Sequence, residues 1–124
     1  MVLGFKPQFE EPIIQGSKKH TIRIDKNDRW KPGMKIHFAT GVRTRLYHQF
    51  YEGFCKSVQN IQIVHLRYSL LVNKALIFID DRQLSFDEIE LLAINDGFED
   101  VSEFLNWFNE DFEGKIIHWT DLKY

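Results

Sequence analysis

Short strand-like patterns fill most of this chain up to Ile79, and two helix-like patterns follow Ser85. Val2 to Phe5 reads as a short apolar strand. A brief helix follows, with Phe9, Ile13 and Ile14 facing inward; Pro12 fits only in its first turn, and Gly16 stops it. His20 to Ile24 reads as a strand, with Ile22 and Ile24 on one face and Thr21 and Arg23 on the other. The two isoleucines claim the core, so Thr21 and Arg23 are expected in a groove or in solvent. The Pro32-Gly33 turn launches a strand from Met34 to Thr40, where Met34, Ile36 and Phe38 alternate with Lys35, His37 and Ala39. Gly41 to Arg45 is a polar loop. Leu46 to Glu52, Phe54 to Leu66 and Ala75 to Ile79 read as further strands, the last ending in a turn at Asp80-Asp81.

Ser85 and Glu88 form a capping-box pattern for a helix whose apolar face is Phe86, Ile89, Leu92 and Ala93, closed by Gly97. Asp100 and Glu103 can cap a second helix with Val101, Phe104, Leu105 and Phe108 inside. An acidic loop at Glu110, Asp111 and Glu113 leads to a final strand, Lys115 to Leu122. About six strands with three short helices predict one α+β domain over residues 1–124, with mostly antiparallel strands curling into a barrel.

Composition narrows the class of protein. The 124 residues suit one core, and 44% apolar and 15% aromatic content is ample to build it. A formal charge of −2 excludes a strongly basic surface overall, though not a local basic patch. Cys55 stands alone, so no internal disulfide forms, which fits a reducing, cytoplasmic setting. The N-terminal stretch lacks the apolar core of a signal peptide. Ala75 to Ile79, the longest apolar run, is far too short to span a membrane.

Chemistry concentrates at Gly16-Ser17-Lys18-Lys19-His20-Thr21-Ile22-Arg23. Two lysines, a histidine, a hydroxyl and an arginine crowd one strand entrance. A threonine hydroxyl becomes a nucleophile only when a base removes its proton. Lys18 can be that base if its pKa falls; burial and the cations Lys19 and Arg23 push it down, while a nearby carboxylate pushes it up. The bland alternatives are an ordinary strand threonine and a solvated lysine turn.

Gly16, Lys18, Thr21 and Arg23 match a G-x-K-x-x-T-x-R signature, and Trp30-Lys31-Pro32-Gly33 follows it before a strand. In these features the chain resembles the ASCH family of the PUA-like superfamily. That resemblance implies a small β-barrel with flanking helices and a basic cleft. It is similar in particular to small bacterial N4-acetylcytidine amidohydrolases, which implies catalytic roles for Lys18, Thr21 and a later carboxylate, by position Asp96. The relatives carry glutamate there, and this chain is longer between Gly41 and Ser85. The substrate implied is the amide of a modified pyrimidine nucleoside, with no cofactor. The alternative is a non-catalytic module that binds RNA or a nucleotide; DNA is not an expected partner.

Other residues complete the candidate set. Lys19, His20 and Arg23 lie within the signature, and Arg23 can hold an oxyanion. Trp30 can stack on a base. Arg43 and Arg45, near Tyr47 and Lys56, give the mixed cationic and aromatic composition used to hold single-stranded nucleic acid. The five histidines are scattered without metal-ligand spacing, although His20 and His37 can approach across neighbouring strands; no metal site is expected. Cys55 lacks an adjacent base and reads as a small buried residue.

Overall fold

The computed structural model describes residues 1–66 and 74–124. In chain order its elements are β1 (Val2–Phe5), α1 (Glu10–Gln15), β2 (His20–Arg23), β3 (Lys35–Thr40), β4 (His48–Phe54), β5 (Ser57–Leu66), β6 (Lys74–Ile79), β7 (Arg82–Gln83), α2 (Phe86–Asn95), α3 (Val101–Trp107) and β8 (Phe112–His118). A single 3-10 turn, Pro7–Phe9, precedes α1. Among the described residues the chain is α+β, with three short α-helices and mostly antiparallel sheets.

The strands form two sheets, ordered β1-β3-β4 and β2-β8-β5-β6-β7. Every pairing is antiparallel except β1 with β3. The expected barrel of about six strands is not seen: among the described residues eight strands lie in two ladders, and no described pairing closes them into one barrel. The cause is β2: it lies between β1 and β3 in sequence, yet pairs with β8 and opens the second sheet.

Register explains how the second sheet can carry a polar cluster inside. Ile22, Ile116 and Gln59 are aligned across β2, β8 and β5, and so share one face. His20, His118 and Ser57 align one step along that same face. On the other face Thr21 aligns with Ile117 and Val58. Ile116, Ile117 and His118 are all buried, so β8 is covered on both faces at this end.

Aromatic packing joins the sheets. Trp119, just past β8, packs edge to face, its ring centroid 4.8 Å from that of Phe38 and 6.2 Å from that of Phe5. Phe5 and Phe38 stack at 5.8 Å within the first sheet. The helices follow their sequence signals. Ser85 accepts the Glu88 N–H, and Glu88 accepts the Ser85 N–H, completing the capping box of α2. Asp100 accepts the Glu103 N–H at 2.8 Å and caps α3.

Three apolar assignments differ from the expected pattern. Ile14 is exposed, because a six-residue α1 buries only Ile13, beside Phe9 of the preceding turn. Ile24 is 64% exposed, because β2 ends at Arg23. Asp25 turns inward instead and accepts the backbone N–H groups of Arg29 and Trp30. Phe86, at the start of α2, is exposed as well. The last strand also ends earlier than the pattern predicts, at His118 rather than Leu122.

These positions predict contrasting stabilities. Phe38→Ala, at the aromatic junction, should lower unfolding free energy by about 3–5 kcal/mol in urea titrations. Ile14→Ala should change it by no more than about 0.5 kcal/mol. Equal effects would contradict the assigned burial.

Candidate functional site

Two stitches hold the signature loop in place. The Lys18 N–H donates to Pro12 O at 3.0 Å, and the Lys19 N–H donates to Asn95 O at 2.7 Å. The first ties the loop to α1 and the second to the C-terminal turn of α2. Asp96 caps that turn, and Gly97 leaves it at φ +94, a left-handed conformation that suits glycine. A Cβ on Gly97 would lie 3.1 Å from Lys18 Cδ and 3.2 Å from the Phe9 ring. The missing side chain is therefore what lets the lysine stem pass against the helix end.

Lys18 is 2% exposed and Asp96 3% exposed. The Lys18 ammonium donates to the Asp96 backbone carbonyl at 2.6 Å and to Asp96 Oδ1 at 3.2 Å. It also lies 4.8 Å from the centroid of the Phe9 ring, within cation–π range. Burial lowers the Lys18 pKa most strongly; Asp96 pulls it upward, and Arg23 adds a smaller downward push.

His20 reaches the same carboxylate oxygen from behind, with Nδ1 3.1 Å from Asp96 Oδ1. Its Nε2 meets the Tyr124 hydroxyl, whose oxygen accepts from Asn95 Nδ2 at 3.2 Å. Burial pushes the His20 pKa down and the Tyr124 pKa up. An ionised carboxylate only accepts, so Nδ1 of a neutral ring carries the proton and Nε2 accepts the tyrosine hydrogen. His118 packs edge-on against His20 at 5.2 Å, and burial pushes its pKa down to about 3. His118 Nε2 donates to Gln59 Oε1 at 2.9 Å.

Lys18, Thr21, Arg23 and Asp96 line one cavity of about 320 Å³, near the lower end of the size range for small-molecule sites. Phe5, Phe9, Phe98 and Trp107 supply aromatic walls. Arg23 donates to Gly4 O at 2.7 Å and lies 5.0 Å over the Phe5 ring. Its Nε is buried and has no acceptor among the described residues. Val42 closes one side. It arrives on the loop 41–47, where Thr44 Oγ1 donates to Gly41 O and accepts the Leu46 N–H.

The structure thus gathers four of the sequence-assigned residues and separates the rest. Lys19 is half-buried and does not line the cavity. His20 is wholly buried behind Asp96, so it is not a surface for substrate. Trp30 is 9% exposed and packs in the core, which removes it as a stacking platform. Arg43 and Arg45 are exposed on the loop 41–47, outside the cavity. His37 faces Glu52 in the first sheet, while His20 pairs with His118 in the second, so the two histidines do not meet across paired strands. Tyr124, Phe98 and Trp107 carried no sequence signal for the site; only the exposed flank of Trp107 on α3 distinguishes it from a core aromatic. Of the segment between Gly41 and Ser85, residues 67–73 lie outside the described part.

The chain matches no protein-family model, no curated protein and no solved structure. Among the described residues no helix is long and apolar enough to cross a membrane.

Two predictions follow from this charge cluster. Lys18→Met and Asp96→Leu should each destabilise the protein by about 3–5 kcal/mol, because each strands a buried charge. The double variant should lose clearly less than the sum, as measured by urea denaturation of all four proteins. Additive losses would show that the pair is not coupled. The second prediction concerns acid. His118 titrates near 6.5 when unfolded but only near 3 when folded, and His20 is shifted in the same direction. The unfolded chain therefore binds more protons in that window. Stability should be full above pH 6.5 and should fall as pH drops, by up to about 1.4 kcal/mol per pH unit for each ring. Urea midpoints at pH 7.5 and 5.5 check this; identical midpoints would contradict it.

Proposed function

We propose that the protein is a small ASCH-type hydrolase of the PUA-like superfamily, acting on the amide of a modified pyrimidine nucleoside such as N4-acetylcytidine. One observation carries this reading: Lys18, Thr21, Arg23 and Asp96 line a single cavity with aromatic walls. Flat aromatic surfaces suit a pyrimidine base, and the polar residues suit its acylated amine. The α+β architecture of two sheets and short helices is consistent with a PUA-like core in an open arrangement.

The chemistry assigns one role to each side chain. Lys18, with its pKa lowered by burial, takes the Thr21 hydroxyl proton as Thr21 Oγ attacks the acyl carbon. Arg23 donates to the oxyanion that develops on the acyl oxygen. Collapse of the tetrahedral intermediate breaks the C–N bond, and Lys18 returns its proton to the departing N4 amine. Water then attacks the threonine ester; Lys18 accepts a proton from that water and delivers it to Thr21 Oγ as the acid leaves. Asp96 holds Lys18 in place throughout, through its backbone carbonyl and its carboxylate.

Incubation with N4-acetylcytidine should release cytidine, followed by chromatography. Thr21→Ala should reduce turnover by at least about 100-fold while leaving the thermal melt unchanged. Equal rates in both proteins would overturn the assignment. The second reading is a module that binds a nucleotide or RNA without turnover. It is favoured by the tight hold of Asp96 on the Lys18 ammonium, and it predicts saturable binding of the nucleoside with no product. Arg43 and Arg45 stand apart from the cavity, which weighs against a continuous RNA groove.

A further inference from the structure

Behind the cavity a buried hydrogen-bond chain leads to the Lys18–Asp96 pair through three side chains that the reaction above does not use, Asn95, Tyr124 and His20. Asn95, Tyr124, His20, Asp96 and Lys18 follow one another with donors and acceptors matched at every step. Its far end is anchored rather than loose. The Gln59 side chain clasps the backbone of Tyr124, accepting its N–H at 3.0 Å and donating to its carbonyl at 2.8 Å. The same amide accepts from His118 and donates to Asp80, so every polar atom of Gln59 is used. A side chain held this firmly in a sheet interior keeps the Tyr124 hydroxyl at a fixed place.

We infer that His20, with Tyr124 locked behind it, is a positioning residue that sets how strongly Asp96 holds the Lys18 proton. The inference rests on the reading of Lys18 as the base of the site. Lys18 and His20 share one oxygen of Asp96. The N–H of His20 draws on the charge of that oxygen and leaves less for the ammonium. The Asp96 carboxylate only accepts, so the proton of the neutral ring sits on Nδ1, while the Tyr124 hydroxyl at Nε2 holds the ring in place from behind. Without the His20 donor, Asp96 turns its full charge on Lys18 and the lysine keeps its proton to higher pH.

The charged and titratable groups around this pair are few. Arg23 approaches Lys18 from β2, and Lys19 adjoins His20 on the signature loop. His118 faces His20 from β8 and stays neutral, and Tyr124 closes the rear. Among the described residues none of these supplies a second acceptor to Lys18, so Asp96 is the anion that opposes the effect of burial.

The test reads Lys18 directly, by titrating its Cε carbon signal in 13C-lysine-labelled full-length protein. His20→Phe keeps a ring in place and removes the donor. His20→Asn places an amide N–H near the former Nδ1. The Lys18 midpoint is expected to rise by about one pH unit in His20→Phe and to return towards the native value in His20→Asn. An unmoved midpoint in a folded His20→Phe, or equal shifts in both variants, overturns the inference. If His20→Phe does not fold, Tyr124→Phe decides the matter through the 15N signals of the His20 ring. A rise in the Lys18 midpoint together with a shift of the His20 ring signals supports the inference; an unmoved Lys18 midpoint in the folded variant overturns it. These readings need no turnover. A protein that passes them yet releases no cytidine refutes the hydrolase assignment alone.

Discussion

One buried ion pair organises this protein. Placing the Lys18 ammonium beneath the surface is costly, and it is tolerated only because Asp96 offers both a carboxylate and a backbone carbonyl. That requirement fixes the geometry around it. The signature loop must be stitched to α1 and α2, α2 must end at Asp96, and the next residue must lack a side chain. The segments containing Lys18 and Asp96 are far apart in sequence, so the pair also fastens the second sheet's first strand to the helical end of the fold.

Apolar packing supplies the frame in which the pair sits. Trp119 leaves the second sheet and wedges against Phe5 and Phe38 of the first. The cavity opens beside this junction, where Phe5 serves both as core and as wall. Because β2 is covered on both faces, Thr21 can be almost buried and still face the hollow. The local two-residue period accounts for this placement of Thr21 and Arg23 on a common face.

Local rules made parts of this arrangement legible. The capping box at Ser85 and the stop at Gly97 need only a few neighbouring residues, and both appear as their sequence implies. The alternation in β5 likewise follows from single-strand chemistry, with Ile61 and Ile63 inside and Asn60 and Gln62 outside. Sheet membership was not legible, because the partner of β2 lies near the other end of the chain. Trp30 was misread for a related reason: a polar turn around Asp25 folds it inward, and that turn is visible only through Asp25's hydrogen bonds. The proximity of Lys18 and Thr21 in sequence let both be named. Tyr124 could not be, since a lone tyrosine carries no pattern until a glutamine on a distant strand grips its backbone.

The loop that brings Val42 to the hollow has a different mechanical character from the charged wall. Its polar bonds are internal, between Gly41, Thr44 and Leu46, whereas the charged wall is braced by a helix end and two strands. In the hydrolase proposed above, selectivity and reactivity would fall to separate parts. Natural variation or deliberate redesign can recut the contour that Val42 presents to the hollow without touching the Lys18–Asp96 pair.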